Sequence, residues 1–307
     1  MFSTTAIAKG TKFSGRVMGT HQRLDQAARR SLGQILPHGK YFPSSKEIVH
    51  FEGIRGPDGL KRKSPGIDEP SHMLTNKDFL KSPKTSKSEV DLQSPAMESG
   101  HENLDERSVL TMILDHKWNL VQALREKNHV RAAFEAAWMA HMIVDGLTPA
   151  HHFPLSDVKD ELMTDKEFMK VFGQPIKGLM HGRSTMETLR NNWLYWGAGG
   201  HMSKHIAYEY GVLTITAAKP PKALEISIDP KDLEQLNTEQ TFRNAYDKVC
   251  GFKMYDRFLT DGWTTELAFE TMSKLLPEII RVITLGWYAA VAEAYHLPKG
   301  GKGGKKL

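Results

Sequence analysis

The stretch from His129 to Val144 is dense in alanine and apolar residues at helical spacing, and it closes on a histidine and an aspartate one turn apart, His141 and Asp145. A spacing of four puts both side chains on one face of a helix. Alanine along such a helix lets a second backbone approach closely, which facing ligands need if they are to meet within a few ångströms. The turn Gly146-Leu147-Thr148-Pro149 then swings the chain so that His151, or His152 as a fallback, can return toward the same place.

The rest of the chain reads as helix and loop. Leu24, Ala27, Ala28 and Leu32 form the apolar face of a helix over 20–36, which Pro37 and Gly39 stop. From there to Leu74 the chain is rich in Gly, Pro and Lys and is expected to be an irregular loop, and 75–105 is expected to be a surface loop poor in large apolar groups. Helical spacing resumes at Ser108 with Leu110, Ile113, Leu114, Trp118 and Val121. A break at Lys127-Asn128 sets that helix antiparallel to the next. Further helices are expected over 164–172, 186–196, 201–211 and 232–254, the last flawed at Gly251, and over 264–295, which Pro277 interrupts. Leu224 to Ile228 is the one weak strand candidate. The expected architecture is all-α: a single helical metal-binding domain over 17–296 and a basic disordered tail over 297–307 carrying Lys299, Lys302, Lys305 and Lys306.

Composition sets outer bounds. A chain of 307 residues with a single cysteine, Cys250, builds no internal disulfide framework. The first ten residues hold no apolar core of the length a secretory signal needs, so a cytoplasmic protein is expected. The best apolar run, 279–292, contains Arg281 and is too short to span a bilayer; it reads as a buried helix, and no transmembrane segment is expected. No P-loop, dinucleotide fingerprint or zinc-finger cysteine pairing is present, and Trp196-Gly-Ala-Gly-Gly-His201 lacks the strand that a phosphate-cradling loop follows.

A lone histidine in an alanine-rich helix is ordinarily a core or surface residue. An aspartate one turn later is awkward to bury without a cation. His205 and Glu209 repeat the spacing on a second helix, where an exposed pair near Lys204 is the plainer reading, and His201 is a weaker ligand candidate. His21 stands one turn before Asp25, either as a solvated pair opening its helix or as part of the site. Asp58, with Asp68 as a competitor, and His72 lie in the loop that follows. Imidazole and carboxylate in these numbers exceed the needs of one tetrahedral ion and point to two or three, with zinc the expected metal and one aspartate bridging. Tyr208 and Tyr210 are candidates for the wall of the pocket.

The motif His141-x3-Asp145-x5-His151 followed by His205-x3-Glu209 resembles that of the zinc-dependent phospholipase C and S1/P1 nuclease superfamily, and the likeness covers residues 17–215 with gaps. Those proteins are all-helical and hold three zinc ions in a cleft. The resemblance implies that Asp58, His72, His141 and Asp145 bind one zinc, that His151, His205 and Glu209 bind a second, and that His21 and Asp145 help to hold a third. It also implies that Asp58 orients or deprotonates the attacking water. The family completes its third site with an amino-terminal tryptophan; here twenty residues precede His21 and none is tryptophan. The interval between His151 and His205 is longer than in the phospholipases, leaving room for a lid or specificity insert over 155–200.

The function expected from these readings is zinc-dependent phosphoester hydrolysis. Two ions about 3.5–4 Å apart would acidify a shared water, which attacks phosphorus in line. The expected substrates are a small phosphoester, a phospholipid headgroup or single-stranded nucleic acid. A nuclease needs stacking aromatics. Trp193, Tyr195 and Trp196 are candidates, although a core aromatic cluster explains them better. A phospholipase needs an apolar rim near its cleft. The rival readings are a non-catalytic helical binding protein with a degenerate metal site, and a di-iron oxidase. The oxidase would normally carry two Glu-x-x-His sets on bundle helices, where this chain offers His141-x3-Asp145 and His205-x3-Glu209 instead.

Overall fold

The computed structural model describes residues 18–52, 109–153 and 182–297. Within them every regular element is helical: α1 (Thr20–Ile35), α2 (Ser45–His50), α3 (Val109–Arg125), α4 (His129–Gly146), a 3-10 turn at Pro149–His152, α5 (Thr185–Trp196), α6 (His201–Ala217), a 3-10 turn at Pro221–Leu224, α7 (Pro230–Glu234), α8 (Thr238–Gly251), α9 (Met254–Asp261), α10 (Thr265–Glu270), a π turn at Thr271–Leu275 and α11 (Leu276–Ala294).

Two helices form the centre. α4 is buried from Ala132 almost without interruption to Gly146, and α11 is buried along most of its length. Their backbones approach closely. A methyl group added at Gly286 of α11 would lie 2.6 Å from Met139 Cε of α4, and Trp287 Nε1 donates to the Ala136 carbonyl at 3.0 Å. α3 packs beside α4 as the hairpin expected from their short link. Lys127 turns the chain at φ 57°, and Asn128 Oδ1 caps α4 by accepting from Arg131 N at 3.1 Å. α1 lays Leu24, Ala27, Ala28 and Leu32, all fully buried, against α11. Each large side chain removed from water in this way, such as Leu24, Ile113, Ile143 or Trp287, contributes roughly 1.5–3 kcal/mol. Thr265–Ala294 is long and apolar enough to cross a membrane, but 83% of its apolar window lies inside the fold, as befits a core helix.

Several expectations need correction. The loop after Gly39 contains α2, whose Ser44 and Glu47 form a reciprocal capping box, with Glu47 Oε2 accepting from Ser44 N at 2.7 Å. The weak strand at 224–228 is a 3-10 turn running into extended chain. The helix expected over 232–254 is three pieces, because the chain breaks at 235–237 and again after Gly251, where Lys253 takes φ 49°. The interruption at Pro277 is a π turn just before it, which absorbs the amide hydrogen bond that proline cannot make. α6 runs on to Ala217, six residues beyond the expected end at Gly211. Trp118, expected on the apolar face of α3, is 36% exposed. The helix expected over 164–172 lies outside the described residues, as do the 75–105 loop and the tail beyond Leu297.

Candidate metal centre

Four elements deliver one cluster. α1 supplies His21 from its first turn. α4 supplies His141 and Asp145 from its last two turns. The 3-10 turn supplies His151, and α6 supplies His205 and Glu209. All six side chains are 0–5% exposed. Thr148 Oγ1 donates to the Val144 carbonyl at 2.7 Å and the Thr148 carbonyl accepts from His151 N at 2.9 Å, so the exit from α4 is tightly folded and brings His151 back beside Asp145.

The donors fall into two groups, His21/His141/Asp145 and His151/His205/Glu209, and within each the ligand atoms lie within 4.8 Å of one another. Asp145 joins them. Its Oδ1 stands 3.3 Å from His21 Nε2 and 3.7 Å from His151 Nε2, while its Oδ2 stands 3.2 Å from His141 Nε2. In the second group Glu209 Oε1 lies 2.8 Å from His151 Nε2 and 3.0 Å from His205 Nε2. The rings of His21 and His141 stack with centroids 4.1 Å apart and 9° between planes.

Two imidazoles are braced from behind. His205 Nδ1 meets the Ala150 carbonyl at 3.2 Å, and because a carbonyl only accepts, the proton sits on Nδ1. His141 Nδ1 meets Glu52 Oε1 at 2.7 Å. In both rings Nε2 then faces the cluster, the outer-shell arrangement that orients metal-binding histidines. Glu52, fully buried at the end of α2, was not among the expected residues. Nothing in the sequence around it marks it as a partner of a ring 89 residues away.

Electrostatics reinforce the geometry. Burial opposes charge on Asp145, yet the positive groups around it, the imidazoles of His151, His141 and His21 among them, favour its charged form, and its pKa lies well below the usual carboxylate range. Glu209 is likewise held low against burial, with its hydrogen bonds to His151 and His205 among the causes. Burial works against the His141 cation too, but Glu52 and Asp145 outweigh it and raise its pKa well above the ordinary value. Burial and the neighbouring His141 lower His21. Asp25 is fully buried one turn from His21, with neither carboxyl oxygen hydrogen-bonded among the described residues; burial, then the charge of Glu52, pushes its pKa well up. The solvated His21/Asp25 pair is therefore replaced by two buried groups.

The donor set fits a divalent transition metal. It is imidazole and carboxylate without thiolate, a set that suits zinc among other first-row ions. Among the described residues the groups that face Asp145, Glu209 and Glu52 are imidazoles, not lysine or arginine. Cations at this place would meet carboxylates already held in their charged form.

Other expected residues fall elsewhere. His152 turns away: its Nε2 lies 2.9 Å from the Gly146 carbonyl and its Nδ1 3.6 Å from Cys250 Sγ, and burial pushes its pKa down to about 4. His201 stacks on Phe153 at 5.6 Å. Neither joins the cluster. Tyr208 is buried against Tyr255, Phe258 and Trp263 instead of forming a pocket wall, and Tyr210 is 56% exposed. Asp58, Asp68 and His72 lie outside the described residues, as does most of the 155–200 insert. Tyr195 is buried, but Trp193 and Trp196 are 71% and 43% exposed and form no core cluster.

No protein-family model matches this chain, and neither does any curated protein or solved structure.

Proposed function

We propose that the chain is a zinc-dependent hydrolase of phosphoesters, of the kind found in the phospholipase C and S1/P1 nuclease superfamily. The observation that carries this reading is the meeting of two imidazole–carboxylate groups around the single carboxylate of Asp145. Zinc bound there would supply Lewis-acid charge to a phosphoryl oxygen and acidify water. The chain's own residues do the positioning. Asp145 fixes the two groups against each other from the rigid end of α4. Glu52 and the Ala150 carbonyl fix the tautomer and ring angle of His141 and His205. His21, His151 and Glu209 complete the donor shell. Deep burial keeps bulk water from the donors and strengthens their interaction with any charge between them. Under the same reading, Asp58 positions the attacking water and His72 adds to the group of His141.

Metal analysis of protein purified without added metal is expected to find two or more zinc ions per chain, together with turnover of bis-p-nitrophenyl phosphate. His141→Ala is expected to lower both metal content and turnover. Turnover retained in that variant would overturn the assignment. Parallel assays on single-stranded DNA and phosphatidylcholine then choose the substrate class.

A further inference from the structure

α5 is built inside out. At 100° per residue, Met186, Leu189, Trp193 and Trp196 fall along one stripe, and Asn191 and Tyr195 along the opposite side. An amphipathic helix on a soluble core turns its apolar stripe inward. Here Asn191 and Tyr195 are the buried residues, whereas Met186 is 75%, Leu189 62% and Trp193 71% exposed. Four large apolar side chains on a helix of 12 residues thus face solvent. A contiguous patch of this kind marks an interaction surface.

We propose that the outer stripe of α5 docks the protein on a lipid bilayer bearing anionic headgroups. Three observations select that occupant. Two of the four side chains, Met186 and Leu189, are aliphatic; they suit the boundary of headgroup and acyl chain and offer no face on which a nucleobase stacks. The other two are tryptophans, the residue enriched at membrane–water interfaces. The charge beside the stripe is basic. Arg190 borders it and Arg183 precedes the helix, both exposed and neither in an ion pair among the described residues, whereas Glu187, the helix's one carboxylate, is engaged at the N-terminus by accepting from Arg183 N at 2.8 Å. The net charge of +5 attracts the chain to the same kind of surface. α5 packs on α6, the helix that carries His205 and Glu209, so a bilayer seated there lies one helix away from the metal centre.

The test is co-sedimentation of the full chain with vesicles of phosphatidylcholine, with and without added phosphatidylglycerol. The wild type is expected to sediment with the anionic vesicles and to lose binding as salt is raised. The triple variant Met186→Ser/Leu189→Ser/Trp193→Ser, whose targets already lie in solvent, is expected to bind at least ~10-fold more weakly. Brominated lipid is expected to quench part of the wild-type fluorescence, and Trp193→Phe to remove that part. Equal sedimentation of wild type and triple variant would overturn the proposal. So would concentration-dependent self-association, or binding to single-stranded DNA, that the triple variant abolishes while vesicles capture neither protein. Sedimentation reads binding and not turnover, so an inert metal centre leaves this result standing, and failure here leaves the hydrolase reading untouched.

Discussion

Carboxylates are buried in this molecule in two different ways. On α11, Glu278 is 4% exposed and meets Lys248 Nζ at 2.6 Å and Arg281 at 2.7 Å. On α4, Glu135 is fully buried and meets Arg131 and His116. These acids bring permanent cations with them and need nothing from outside the chain. Asp145, Glu209 and Glu52 are buried as deeply, but among the described residues they face imidazoles. An imidazole, unlike lysine or arginine, gives up its proton readily and can then offer a lone pair. The first arrangement completes a fold; under the proposed function the second is a socket for a divalent ion.

The sharpest way to break this contrast is at Asp145. Asp145→Asn removes the one charge common to both groups, and is expected to reduce zinc content at both and to lower phosphodiester turnover by at least ~100-fold. Metal analysis beside an activity assay reads the outcome. Two zincs retained with full turnover would show that the carboxylates need no added cation.

Glu52→Gln tests whether the brace matters as much as the ligands. It keeps the shape but offers the His141 ring an amide in place of a charged acceptor. Zinc affinity at the His21/His141 group is expected to fall by roughly 10–100-fold, while the group braced by the Ala150 carbonyl keeps its ion. A chelator titration that resolves the two sites, with Glu52→Asp as the conservative control, separates this from general loss of fold.

The smallest effect belongs to the self-sufficient acid. Lys248 and Arg281 hold the Glu278 pKa below its ordinary 4.5 despite burial. A depressed folded pKa means that the stabilisation is present above the unfolded value and is lost as pH falls through the folded one. Glu278→Gln is therefore expected to cost about 1 kcal/mol near neutrality, independent of zinc, with the difference from wild type closing in acid below the folded pKa. Urea melts across pH check this.

Much of this was legible because helical spacing is a local property. The apolar positions of α1 and the pairs His141/Asp145 and His205/Glu209 follow from a period of 3.6, and the structure brings both pairs to one place. Glu52 was not legible. A carboxylate earns its role here by standing behind a ring 89 residues away, and nothing local marks it. His152 was offered as a substitute for His151 because adjacent residues look alike in sequence. The 3-10 turn points them in different directions, one to Glu209 and the other to Cys250. α5 misled for a third reason. Its periodicity was visible, but periodicity names a stripe and not the side from which the core approaches, so Trp193 and Trp196 read as interior when they face out.

If the site holds zinc as proposed, the shared position of Asp145 makes its loading a two-body problem. An ion taken up at His21 and His141 draws on the same carboxylate that an ion at His151 would use, so each occupancy alters the affinity of the other, and by the same factor in both directions. Zinc titrations are therefore expected to depart from two independent hyperbolas, and the half-loaded protein becomes a species with an abundance of its own.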